Sequence, residues 1–200
     1  MKSNLVAIGL RAKTGRAIAV VVAGSPDAPI VLAKTEIKLT DPKIPATAQP
    51  YHEVMDLPWG ESQRAVKVSA RAIQVVATKA LAKLVKEQAS NGMQVRAIGI
   101  VGAKDRDLSR IGNSHIRAHA AEGVLFRHVL DDAARANGLP FRTFPEREFE
   151  QLLKDELGSK ADSTRKKLNE AARSLSPPWR ADEKLAATAA WLVLHDSVPA

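Results

Sequence analysis

Two histidines and a glutamate, His115, His119 and Glu122, share one stretch of helical periodicity in the sequence. Their spacing of i, i+4 and i+7 places them on one helix face, which suits a zinc ion if another element completes the ligand shell. No HExxH pattern is present, and the ligands on a single helix face converge poorly. We interpret the three residues as a polar cluster at a helix start and assign no metal site from the sequence, with zinc as the alternative.

The sequence contains none of the common nucleotide-binding or hydrolase motifs. There is no GxxxxGK[ST], no GxGxxG after a strand and no GxSxG elbow. The absence of cysteine excludes disulfides, thiolate metal sites and a cysteine nucleophile. We therefore predict no cofactor.

Positive charge is the strongest compositional signal. The chain has 30 Lys and Arg against 22 Asp and Glu, which gives a net charge of +8. Such a balance favours a polyanionic partner, most commonly nucleic acid, if the cations gather on one surface. The cations that we select as candidates for binding nucleic acid are Arg11, Lys13, Arg64, Lys67, Arg71, Lys104, Arg106 and Arg110.

Length and hydropathy predict one soluble domain. With 200 residues, 45% of them hydrophobic, the chain can bury one core and hardly two, so we expect a single domain over 1–200. No apolar run approaches the roughly 20 residues that cross a bilayer, and the first residues do not resemble a signal peptide. We expect a cytoplasmic protein that does not associate with membranes.

Apolar periodicity predicts an alternation of strands and helices. The runs are separated by turn chemistry such as KTGR, GSPDAP and NGLP. A Pro-rich excursion at about 40–62 holds no period, but its aromatic residues suggest that it is ordered. The predicted elements are, in order, strands over 5–10, 17–23 and 30–38, a helix over 61–91, a strand over 95–101, a helix over 116–137, a strand over 141–144, two short helices, and a last helix over 181–195.

Three stretches in this order resemble the RuvC-like branch of the ribonuclease H-like fold. The opening IGLRAKTGRAIAVVV is similar to the family's first hairpin, and RADEKLAATAAWLVLHD resembles its final helix. Between them, GAKDRDLSRIGNSHIRAHAAEGVLFRHVLDDAARANGLPF resembles its fourth strand, loop and following helix. The resemblance implies a three-layer α/β fold, in which a mixed five-stranded sheet of three antiparallel and two parallel strands is flanked by helices.

Members of this family cut nucleic acid with two Mg²⁺ ions that are held by acids. By resemblance, the first-strand acid falls on Arg11 and the fourth-strand acid falls near Ile98 or Gly99. The two acids of the last helix fall on Asp182 and Leu185. One ligand of four is present, so the resemblance implies that the two-metal chemistry is lost and that Asp182 is a vestige.

An arginine at the former metal position has two interpretations. The guanidinium of Arg11 suits a salt bridge to Asp182, which we favour, and it equally suits a phosphate. A relocated metal site that uses Glu36, Asp105, Asp107 or Asp182 is a further alternative, although acids beside loop cations are commonly just solvated.

These observations predict a non-catalytic RuvC-like domain that binds nucleic acid or acts as a scaffold, with a protein partner or a homodimer as further possibilities. The alternative is a nuclease with a relocated acidic site, which alone would require Mg²⁺. A minor alternative is a relative of the actin-like ATPases, which share the topology. Their opening turn carries an acid near the phosphates, whereas GLRAKTG offers none.

Overall fold

A mixed sheet of five strands forms the centre of the structure, which is a computed structural model that describes residues 4–195. The strands are β1 (Leu5–Lys13), β2 (Arg16–Gly24), β3 (Pro29–Lys38), β4 (Gln94–Gly102) and β5 (Phe141–Pro145). Their order in the sheet is β3-β2-β1-β4-β5, in which β1, β2 and β3 pair antiparallel and β4 and β5 continue parallel to β1. The predicted meander joined to parallel strands, with β3 at an edge, is confirmed.

Helices cover both faces of the sheet, which explains why the central strands are apolar at nearly every position. The helices are α1 (Trp59–Ala65), α2 (Lys67–Ser90), α3 (Ser114–Ala136), α4 (Phe149–Leu157), α5 (Ala161–Ala171) and α6 (Ala181–His195). On one face, α2 and α3 pack against the even-numbered residues of β1, such as Ile8 and Leu10. On the other face, α6 packs against odd-numbered positions such as Ala7.

Two glycines allow α6 to lie directly on the sheet. A Cβ atom added to Gly9 of β1 would sit 1.7 Å from the carbonyl oxygen of Ala186. A Cβ added to Gly99 of β4 would lie 2.5 Å from the carbonyl oxygen of Ala189. The small residues of α6 contact the backbone of both strands, and this contact sets the distance between the helix and the sheet.

The Pro-rich excursion is ordered, as predicted, but it is shorter. It ends at Pro58, because α1 begins at Trp59 rather than at the predicted residue 61. The buried Thr47 hydroxyl group accepts a hydrogen bond from the backbone N–H of Asp41 and donates to the carbonyl of Ile44. A short 3-10 helix over Pro45–Thr47 accompanies these bonds. The chain thus returns from β3 to α1 as a packed segment.

The single helix predicted over 61–91 is divided into α1 and α2 at Val66. The backbone bonds from Val66 to Ser62 and from Ala70 to Val66 run across this point, so the two helices follow one another closely.

No helix in the part of the chain that the structure describes is long and apolar enough to span a membrane. Residues 1–3 and 196–200 of the predicted single domain lie outside the described residues.

Candidate functional site

The carboxyl ends of β1, β4 and β5 meet at one edge of the sheet. Arg11 of β1 lies beside Val101 of β4, which in turn lies beside Phe144 of β5. The loops that follow these strands, together with the N-terminus of α6, gather at the same edge. Polar side chains that are far apart in sequence are therefore neighbours here, as is usual for ligand sites in sheets with parallel strands.

Arg11 is the buried centre of this edge, with only 5% of its surface exposed. Its Nη2 contacts a carboxylate oxygen of Glu146, and its Nε lies 3.4 Å from Oδ1 of Asp182. Its Nη1 donates a 2.6 Å hydrogen bond to the carbonyl of Ala12. Lys13 Nζ lies 3.4 Å from the other Asp182 oxygen. The salt bridge to Asp182 is present, and the buried guanidinium holds two carboxylates.

A cleft of about 490 Å³ opens next to this cluster, between the end of β4, the N-terminal half of α3 and the loop after β5. Its lining combines apolar surface with polar and charged side chains. It includes Lys104, Asp105, His119, Glu146 and Arg147. Because Glu146 contacts Arg11, the cleft and the buried ion pairs form one continuous site.

A second buried arginine, Arg127 of α3, supports the floor of the cleft. Its Nη1 lies 2.7 Å from Asp131, its Nη2 contacts Asp105, and its Nε donates to the carbonyl of Ala103. Thr143 of β5 donates a 2.7 Å hydrogen bond to the other oxygen of Asp131. This network fixes the loop after β4 against α3 and β5.

Acid should weaken the attachment of this loop through Asp105. The hydrogen bond from Arg127, with smaller contributions from nearby His128, lowers the pKa of the Asp105 carboxyl below its ordinary value of 3.8. A lowered folded pKa gives stability that is present above the ordinary value and is lost as the pH falls through the folded value. We expect Asp105→Asn to reduce the loss of stability below about pH 4, measured by urea unfolding across pH. Asp107→Asn, in the same loop, is the control, and equal pH profiles for Asp105→Asn and the parent would contradict the expectation.

The cations selected from the sequence as candidates for binding nucleic acid differ in how exposed they are. Arg11 is buried and Lys13 is half-buried against Asp182, whereas Lys104 is exposed and lies 2.8 Å from Glu148. Arg11, selected from the sequence as able to reach a phosphate, is instead enclosed by its carboxylate partners. The other candidates, Arg64, Lys67, Arg71, Arg106 and Arg110, are exposed.

The four acids that could have formed a relocated metal site are not brought together. Glu36 pairs with Arg16 across β2 and β3, and Asp105 pairs with Arg127. Asp107 accepts a hydrogen bond from the backbone of Ser109. Within residues 4–195, the groups of three or more potential metal ligands include none of these acids.

The histidines predicted to form a polar cluster gain a third member from the excursion. His52 lies against both, with ring centroids 5.2 Å from His115 and 4.3 Å from His119. Glu122 is fully buried, and its Oε1 lies 2.8 Å from His52 Nδ1. Sequence reasoning missed His52 because the excursion has no period to locate it.

Comparison with solved structures identifies the architecture. No protein-family model and no curated protein sequence matches the chain. RuvC from Thermus thermophilus matches over 95% of this chain and 92% of that chain, with a TM-score of 0.50 and 14% identity. The chain has the fold of RuvC. T. thermophilus RuvC in complex with Holliday junction substrate also matches, over 96% and 92% of the two chains, with a TM-score of 0.48 and 13% identity.

The RuvC fold brings together the sequence stretches that suggested it. The first strand, the fourth strand and the last helix meet where Arg11, Val101 and Asp182 lie. The predicted ribonuclease H-like three-layer arrangement is confirmed. Of the positions that the resemblance assigned to acids, Arg11 and Asp182 lie at this edge. Ile98 and Gly99 lie farther back in β4, where they pair with Ile8 and Gly9 of β1, and Leu185 is half-buried in α6.

Proposed function

We propose that this chain binds nucleic acid at the carboxyl edge of its sheet without cutting it by two-metal chemistry. The contact of Arg11 with Asp182 and Glu146 carries the proposal. A pair of Mg²⁺ ions needs several anionic oxygens that converge on open coordination positions. Here a cation of the protein already lies between the carboxylates, so the residues present do not fit the metal pair.

Binding is supported by exposed cations of α1 and α2. Arg64, Lys67 and Arg71 are spaced i, i+3 and i+7 along α1 and α2, so they share one helix face. Trp59, which begins α1, packs under the guanidinium of Arg117 in the first turn of α3. This contact joins the start of α1 to α3, the helix that lines the cleft with Ile116 and His119. We call the surface formed by Arg64, Lys67 and Arg71 the α1–α2 basic face.

Reversing the α1–α2 basic face should weaken binding strongly. We expect the triple variant Arg64→Glu, Lys67→Glu and Arg71→Glu to bind a four-way DNA junction at least about tenfold more weakly. The slope of log affinity against log salt should fall by about 3, because three phosphate contacts are lost. Fluorescence anisotropy at two or more salt concentrations measures both quantities, with a duplex and a single strand as comparison probes.

A charge-matched control separates a binding surface from net charge. The exposed residues Lys154, Lys160 and Lys166 belong to the segment that covers the opposite face of the sheet. Their reversal to glutamate lowers the net charge by the same amount, and it should leave affinity and salt slope close to those of the parent. Equal losses in both triple variants would show that binding does not use the α1–α2 basic face.

Cleavage is tested in the same reactions by adding Mg²⁺ and separating the products on a gel. We expect intact DNA. Divalent-ion-dependent cutting that Asp182→Ala abolishes would overturn the non-catalytic proposal in favour of a relocated nuclease site. Failure to bind any of the three probes would overturn the nucleic-acid proposal and would direct attention to a protein partner.

A further inference from the structure

We propose that His52, His115 and His119 form a transition-metal site that takes zinc, with Glu122 as the carboxylate that orients His52. One ligand atom from each of the three histidines lies within 4.8 Å of the other two. Among residues 4–195, this is the one group of three or more His, Cys, Asp or Glu side chains that converges in this way. The inference does not rest on the proposed binding of nucleic acid.

Two separate elements build the site. His115 and His119 are one helical turn apart in α3, so their side chains project from the same face. His52 comes from the Pro-rich excursion, and both its backbone N–H and its Nδ1 are bonded to Oε1 of Glu122, at 3.3 and 2.8 Å. His52 therefore supplies the third ligand, which the face of α3 alone cannot provide.

The hydrogen bond to Glu122 fixes which nitrogen of His52 is available. Because a carboxylate only accepts, Nδ1 carries the proton, and Nε2 is the nitrogen that can offer a lone pair to a metal ion. Nε2 is buried and has no hydrogen-bond partner in the described protein. A second proton there would be a buried donor without an acceptor, whereas a metal ion would use the lone pair directly.

Glu122 adds an electrostatic reason for a cation. Its side chain is 0% exposed, and its Oε2 also has no hydrogen-bond partner in the described protein. A buried carboxylate is costly unless positive charge lies close to it. A metal ion on Nε2 would place positive charge on the far side of the same ring. Carboxylate–histidine–metal triads of this kind orient the ligand and strengthen it.

The donor set points to zinc. Three imidazoles suit Zn²⁺, Cu²⁺ and Ni²⁺, and zinc accepts a tetrahedral arrangement with nitrogens at about 2.0–2.1 Å. Such a site needs nitrogen-to-nitrogen separations of about 3.3 Å, so the three rings must close in from separations of up to 4.8 Å. His115 and His119 are exposed, and their rings can turn to do so. Three protein ligands leave the fourth position for water.

Metal titration of the full chain, without a histidine tag and after treatment with EDTA, tests the site. Calorimetry with Zn²⁺ should give one site per chain, and Co²⁺ should give the visible absorption of a four-coordinate nitrogen site. We expect His115→Ala and His119→Ala each to weaken Zn²⁺ binding at least about 100-fold and to remove the Co²⁺ spectrum. Glu122→Gln should weaken binding by about 10–100-fold, because a carboxylate partner of a ligand is lost.

His128→Ala is the matched control, because His128 is an exposed histidine of the same helix outside the cluster. The Zn²⁺ affinity of the His128→Ala variant should stay within about twofold of that of the parent. Both ligand variants replace exposed side chains, so their metal-free circular dichroism and melting should match those of the parent. The proposal would be overturned by the absence of Zn²⁺ binding to the parent, or by binding that His115→Ala and His119→Ala leave unchanged.

Discussion

Gly9→Ala should destabilise this protein strongly. The new methyl group would lie 1.7 Å from the carbonyl oxygen of Ala186, far inside van der Waals contact with backbone that has no freedom to rotate away. Either α6 must lift from the sheet or β1 must leave its register. Both responses expose the core that α6 covers, so we expect a loss of more than about 3 kcal/mol, measured by thermal and urea unfolding.

Gly112→Ala provides the matched control for this change. Apart from Gly112 itself and its two chain neighbours, no residue that the structure describes comes within 4 Å of a Cβ atom added to Gly112, which lies in the exposed loop before α3. Its free energy of unfolding should stay within about 0.5 kcal/mol of the parent. A melting temperature for Gly9→Ala close to that of Gly112→Ala would contradict the close packing of α6 on β1.

Arg127→Met should also destabilise the protein strongly. It keeps much of the side-chain volume but removes the cation beside Asp131, which is 8% exposed and keeps its hydrogen bond from Thr143. Removing one partner of a buried ion pair costs about 3–5 kcal/mol, because the other charge stays in the interior. Chemical denaturation of the purified variant measures this loss.

An exposed pair on the same helix separates burial from pairing. Arg135 contacts Asp132 with both side chains more than half exposed, so Arg135→Met should cost less than about 1 kcal/mol. Adding Asp131→Asn to Arg127→Met should recover part of the loss, since it removes the stranded charge. Equal costs for Arg127→Met and Arg135→Met would show that the Arg127 network does not stabilise the fold.

Elements with a strong apolar pattern were predictable from sequence, and their ends were less so. The predicted bounds of α6, residues 181 and 195, are those observed, because an acidic first turn and a long apolar run define the helix. β1 was predicted to end at Leu10 but continues to Lys13. Its polar end residues remain paired with β2, and that pairing keeps them extended where the pattern alone gave no signal.

Only two residues of the site could be predicted from the sequence, because the family resemblance assigned a position to each of them. Arg11 and Asp182 were expected to pair, and they do. Glu146 was missed because it follows β5 in a loop without periodicity. The pair Arg127 and Asp131 has a visible i, i+4 spacing, but sequence does not show that both charges are buried. Convergence of distant loops depends on tertiary packing, which local patterns do not encode.

The close packing of α6 on β1 also affects the rate at which the protein folds. Gly9 and Ala186 lie near opposite ends of the described chain, yet they touch in the centre of the structure. Contacts between such distant segments require a large loop to close before they stabilise anything, which slows folding. Until α6 docks, Ala7, Val20, Ala97 and Val101 form an uncovered apolar surface on the sheet. Assembly of this core therefore requires a long-range contact, and the sheet face stays open to aggregation until that contact forms.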